Sequence, residues 1–100
     1  MTHSTQSVER ESGGSTAVVF HTIDVTSLDS AGAETYDPST EVGLDTDHTG
    51  GISVVGQEDA TNLVRWDHIN EQLAVVAVAD GTDVTSGTDV GEVRLKVEGI

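Results

Sequence analysis

Apolar and polar side chains alternate along several segments of the chain with the period of two that is typical of β-strands. Over 17–26 one face of a predicted strand carries Val19, His21, Ile23 and Val25, and the other carries Val18, Phe20, Thr22, Asp24 and Thr26. The last segment, Glu92–Glu98, turns three apolar side chains inward and four charged ones outward. A short apolar run at Ile52–Gly56 predicts a further strand. The residues expected to be largely buried are Val19, Ile23, Val54, Trp66, Leu73, Val75, Val93, Leu95 and Val97.

The clearest local prediction is a β-hairpin. Its arms are Asn62–Asp67 and Gln72–Ala79, joined by the polar loop Asp67–Glu71. The second arm is apolar on both faces, which indicates a strand buried on both sides or lying at an interface. A domain of this size has difficulty covering both faces itself. Val76 and Val78 are therefore candidate contacts with a second subunit.

Many short strands separated by Gly- and Asp-rich turns, with no helix predicted, indicate an all-β fold. We expect a small β-sandwich or a jelly-roll-like barrel over residues 17–100. The connection Ser27–Asp47 is rich in loop residues, with a short strand or turn near Glu41–Leu44. Residues 1–16 are polar and lack apolar periodicity, which predicts a flexible arm. The arm either remains a tail or orders against a partner.

The chain is strongly acidic. It has eighteen acidic residues and four basic ones, and its formal net charge is −14. The acids are spread between regular strand patterns, which favours a folded acidic surface over a disordered chain. Such a surface is screened in concentrated salt. Scarce Lys with abundant Asp, Thr and Val resembles proteins of extremely halophilic archaea and their viruses.

The same charge excludes nucleic acid as a partner, because duplex binding requires phosphate-neutralising Lys and Arg. No apolar run is long enough to span a bilayer, so no membrane association is expected. The first fourteen residues lack an apolar core, which predicts no signal peptide. The chain contains no cysteine, so disulfides and thiolate metal sites are not available to it.

Candidate metal ligands occur in two acidic stretches. The segment Asp45–Ile52 begins like a calcium loop, but the twelfth position is Gly56 where a bidentate Glu is required. A solvated acidic turn is the favoured interpretation. Another set of carboxylates, Asp80, Asp83 and Asp89, either binds a cation or simply forms turns. The four histidines have no metal-ligand spacing, and His21 is expected to be a core or interface histidine.

No pattern in the chain predicts an enzyme. A nucleophile elbow of the Gly-x-Ser-x-Gly kind does not occur, and neither does a phosphate-binding glycine loop. We therefore assign no catalytic, cofactor-binding or metal-binding residue and expect no cofactor. Trp66 is either a core residue or an anchor at a subunit interface, where Trp is enriched. Arg65 is expected to pair with an acidic neighbour at the surface, where a pair contributes little.

The last 40 or so residues contain a strand with an aromatic residue, an Asp, an Asn three residues later and then a Leu, followed by a Thr-Asp turn and a final strand that ends in Gly. The residues in these places are Trp66, Asp67, Asn70, Leu73, Thr82-Asp83 (or its near copy Thr88-Asp89), Arg94 and Gly99. This arrangement resembles small head-associated structural proteins of tailed viruses. Residues 27–60 match only loosely, and the turn before the last strand is longer.

This resemblance implies a non-enzymatic virion structural protein, namely a capsid decoration or turret subunit of a haloarchaeal tailed virus. Its expected partners are the viral major capsid protein and further copies of itself, as a trimer or a pentamer. Its expected location is the virion, assembled in the host cytoplasm. The alternative is a small carbohydrate- or cell-surface-binding β-module, for which the three aromatic residues offer little stacking surface.

Overall fold

The computed structural model describes residues 3–13, 15–46 and 51–100. Within these ranges the chain forms seven β-strands and one short helix. In chain order they are β1 (His3–Gly13), β2 (Thr16–Val25), β3 (Ala33–Thr35), α1 (Pro38–Glu41), β4 (Gly51–Gln57), β5 (Asn62–Asp67), β6 (Gln72–Ala77) and β7 (Gly91–Gly99).

The strands make two antiparallel sheets. The larger sheet has the order β1-β2-β7-β4, and the smaller has the order β3-β6-β5. One apolar core lies between them, so the chain is a small β-sandwich, and the all-β prediction is confirmed. No helix in the part of the chain that the structure describes is long and apolar enough to cross a membrane.

The centre of the core is built by the pair β2–β7. Val19 lies opposite Val97, and Ile23 lies opposite Val93, all four on the inward face. This confirms the predicted alternation of both strands. Of the nine residues expected to be buried, seven are buried, while Val54 and Trp66 are partly buried and pack against the core.

The N-terminal segment corrects the prediction of a flexible arm. Residues 3–13 form strand β1, which pairs antiparallel with β2 along the edge of the larger sheet. An edge strand needs backbone hydrogen bonds on one side only, and the side chains from Ser4 to Glu11 are exposed. The strand therefore has no apolar face to produce a periodic signal.

The segment between β2 and β4 is more ordered than the predicted loop. It contains β3, which pairs with β6, and the single helical turn α1. Asp37 begins this turn by accepting hydrogen bonds from the Ser39 amide and the Thr40 hydroxyl, both at 3.0 Å. A turn follows at Val42, which agrees with the turn expected near Glu41–Leu44.

The predicted hairpin is confirmed as β5 and β6, with Leu63 opposite Val76 and Trp66 opposite Leu73. Asp67 holds the loop by accepting hydrogen bonds from the Ile69 and Asn70 amides. Strand β6 ends at Ala77, two residues earlier than expected.

Candidate functional site

A buried charged cluster joins the two sheets, and its centre is His3 at the start of β1. The ring nitrogen Nδ1 lies 2.6 Å from Glu34 Oε2, and Nε2 lies 2.6 Å from Glu41 Oε1. The side chains of His3, Glu34 and Glu41 are 1%, 0% and 8% exposed. Glu34 also accepts a hydrogen bond from the Asp29 amide at 2.9 Å. We call this group the His3 cluster.

Three different elements bring the His3 cluster together. His3 lies opposite Val25 in the β1–β2 ladder and therefore points between the sheets. Glu34 faces the same interior because it lies opposite the inward-facing Leu73 in the β3–β6 ladder. Glu41 is supplied by α1. The hydrogen bond with Glu34, supported by that with Glu41, raises the pKa of His3 against the lowering effect of burial.

A second histidine lies beside this cluster in a different environment. His21 is fully buried, with Nδ1 2.7 Å from the Tyr36 hydroxyl and Nε2 2.8 Å from the Thr5 hydroxyl. Burial lowers the pKa of His21 and raises that of Tyr36. The expectation that His21 is a satisfied core histidine is confirmed.

Tyr36 connects these histidines to an open groove. Its ring centroid lies 6.0 Å from that of His3 and 6.3 Å from that of Trp66, which it meets edge-on. The groove has a volume of about 1000 Å³, and Tyr36, Trp66, His68 and Glu71 are among its lining residues. Trp66 therefore packs on the core and also borders solvent-accessible space.

The outer face of the smaller sheet carries an apolar strip formed by Leu63, Val76 and Val78. Leu63 is 48% exposed, Val78 is 63% exposed, and Val76 is partly buried. Leu63 and Val76 are direct cross-strand partners. The Val78 amide donates to the Thr61 carbonyl at 3.0 Å, which continues the same ladder by one step. Val76 and Val78 of this strip lie on the arm for which the sequence predicted an interface, and Leu63 lies on the neighbouring arm.

Two of the three candidate cation-binding carboxylates, Asp80 and Asp89, accept hydrogen bonds within turns, and Asp83 forms a β-bridge with Val76. Asp80 accepts from the Thr82 amide and hydroxyl, and Asp89 accepts from the Gly91 amide. Among the described residues, no three His, Asp or Glu side chains are arranged to hold a metal ion. Asp45 and Ile52 are described, but residues 47–50 of the calcium-loop candidate, including His48, lie outside the described residues.

Arg65 is exposed on β5, close to Asp67. The hydrogen bond from the Asn70 side chain is the main cause that lowers the pKa of Asp67, and the charge of Arg65 adds to it. Arg94, which the resemblance singled out, lies on the outer face of the larger sheet with its guanidinium 5.2 Å from the centre of the Phe20 ring.

The chain was compared with protein families, curated proteins and solved structures. No family model, curated protein or solved structure matches it. Its two antiparallel sheets define the chain as a small β-sandwich domain.

Proposed function

We propose that the chain is a non-enzymatic structural subunit of a virion, a capsid decoration or turret protein of a haloarchaeal tailed virus. In this role it forms a homo-oligomer, a trimer or a pentamer, and binds the viral major capsid protein. The observation that carries the proposal is the apolar strip of Leu63, Val76 and Val78 on an acidic protein. The hairpin resemblance supplies the virion context.

The strip supports self-association for an electrostatic reason. Two copies with a formal charge of −14 each repel one another, so their contact requires a surface without carboxylates. Leu63 and Val78 expose apolar area on the outer face of the smaller sheet. A stable interface buries about 800 Å² per partner, so these side chains form the centre of a larger contact with a polar rim.

Light scattering coupled to size-exclusion chromatography in about 3 M KCl, where the screening length is under about 3 Å, tests the oligomer. We expect a trimer or pentamer for the wild type and a monomer for the double variant Leu63→Glu, Val78→Glu. Val8→Glu is the matched control, because Val8 is 52% exposed but lies in the other sheet. A wild-type monomer at every concentration contradicts the oligomer.

The virion role is tested separately by mass spectrometry of purified particles. We expect the chain in a fixed copy number relative to the major capsid protein, and we expect the double variant to be retained less than Val8→Glu. Absence of the wild-type chain from particles rejects the virion role, whatever its oligomeric state.

The groove beside Trp66 favours a second candidate, the carbohydrate-binding module. An indole at the wall of a groove that also contains His68 and Glu71 offers an apolar surface next to hydrogen-bonding groups, the combination that binds sugars. Trp66 is the single Trp of the chain, so its fluorescence reports directly on the groove. Titration with neutral oligosaccharides that leaves the emission unchanged rejects this candidate.

A further inference from the structure

Strand β1 is attached to the sandwich in two ways. Its backbone pairs with β2 on one side only. Its side chains are exposed from Ser4 to Glu11, and His3 is the buried one. The Thr5 hydroxyl adds a contact with His21 at 2.8 Å. The His3 cluster is thus the one place where a described side chain of β1 enters the interior and reaches β3 and α1.

The hydrogen bonds of His3 with Glu34 and Glu41 depend on the charge of the His3 ring. A carboxylate only accepts hydrogen bonds, and both ring nitrogens of His3 face carboxylate oxygens at 2.6 Å. An imidazolium donates from both nitrogens and satisfies both Glu34 and Glu41. A neutral imidazole has a single N–H, so one nitrogen lone pair then faces a carboxylate. The buried group also changes from one net negative charge to two.

The groups packed around the ring do not replace the lost proton. Glu34 from β3 and Glu41 from α1 are both acidic. The rings of Tyr36 after β3 and His21 on β2 lie close by; His21 Nδ1 is paired with the Tyr36 hydroxyl and His21 Nε2 with the Thr5 hydroxyl. Among the described residues, the basic side chains with ion pairs are Arg94 and Lys96, which pair with Glu9 and Glu98 away from the cluster.

We propose that His3 is a proton-dependent latch for strand β1. When protonated, it holds the start of β1 against Glu34 and Glu41. When it loses the proton, this end of β1 separates from the edge of β2, while the rest of the sandwich stays folded. The inference goes beyond the proposed function and does not depend on it.

The direction with pH follows from linkage. The folded protein holds the His3 proton more tightly than the unfolded chain, so the pKa of His3 is raised above its ordinary value near 6.5. The stabilisation from the latch is complete below that ordinary value. It is lost as the pH rises through the folded pKa.

Amide hydrogen exchange of the full chain, corrected for intrinsic rates and followed from about pH 6 to about pH 9 in constant high salt, tests the latch. We expect amides near Thr5 to lose protection as the pH rises, by about tenfold for each unit by which the folded pKa exceeds the ordinary one. Amides of β7 should keep theirs. His68→Gln, an exposed replacement, should reproduce the wild-type profile.

Glu41→Gln separates a latch from a merely structural contact. A neutral His3 can donate from Nδ1 to Glu34 and accept at Nε2 from the new amide, so the variant should keep β1 protected at the higher pH. Loss of protection at every pH in Glu41→Gln contradicts the latch. The wild type gives an independent check, because the loss of β1 protection must begin above the ordinary His pKa and level off near the midpoint of an NMR titration of the His3 ring, which reports the folded pKa. Protection that levels off far from that midpoint also overturns the proposal.

Discussion

Tyr36 is the residue through which the buried polar groups and the groove meet. It is 2% exposed, its ring contacts those of His3, His21 and Trp66, and its hydroxyl pairs with His21 Nδ1. Buried polar groups are costly when unpaired, so this hydroxyl, together with that of Thr5, stabilises a histidine in the core. Tyr36 thereby couples the packing of the core to the wall of the groove.

At the residue scale we expect Tyr36→Phe to lower the free energy of unfolding by about 1–3 kcal/mol, because it leaves Nδ1 of the buried His21 without a partner. Thr5→Val is the matched comparison, since it removes the other hydrogen bond of His21. Thr5 is exposed, so water can replace its hydroxyl and the loss should be smaller. Urea unfolding of both variants measures the difference, and an equal or larger loss for Thr5→Val contradicts this account.

At the scale of elements, the strands with one buried face were predictable from sequence. Strands β2 and β7 alternate because one face meets the core, and the loop of the β5–β6 hairpin carries the turn-forming Asp67. Strand β1 was missed because both of its faces are polar. Strand β3 was missed because it has three residues, one of them the buried Glu34.

The His3 cluster was not predictable for a related reason. Glu34 and Glu41 are 31 and 38 residues from His3 in the sequence. Each of the three resembles an ordinary surface residue of an acid-rich chain. Periodicity reports which face of a strand is apolar and gives no sign that an inward position holds a paired charge. The apolar strip was foreseeable in part, since the excess of apolar residues in the second hairpin arm singled out Val76 and Val78.

The hairpin loop contains a residue other than glycine in a left-handed backbone conformation, which favours glycine. Glu71 has a φ of 54°, and it is the one non-glycine residue with positive φ in the part of the chain that the structure describes. We expect Glu71→Gly to raise the free energy of unfolding by about 0.5–1 kcal/mol, because glycine adopts this conformation without the Cβ penalty. Urea unfolding in constant high salt measures the gain.

Glu71→Ala is the control, since it removes the same charge but keeps the Cβ atom. It should give no gain. If the alanine variant is stabilised as much as the glycine variant, the effect comes from charge and the loop backbone is not strained.

At the scale of the whole molecule, the acidic surface makes stability depend on salt. Eighteen acids on a 100-residue sandwich repel one another over a screening length of about 10 Å at 0.1 M salt. In about 3 M KCl that length falls below about 3 Å, and the repulsion is confined to direct neighbours. The ion pairs of Arg94 with Glu9 and of Lys96 with Glu98 are partly exposed and offset little of this repulsion.

We therefore expect the melting temperature, followed by circular dichroism, to rise from about 0.1 M to about 3 M KCl. The triple variant Glu11→Gln, Glu71→Gln, Glu92→Gln removes three exposed negative charges and should show a smaller rise, mainly because it melts higher at low salt. Equal melting temperatures for the wild type at both salt concentrations contradict the halophilic proposal. An unchanged rise in the triple variant assigns the salt effect to strengthened apolar burial, which does not depend on surface charge.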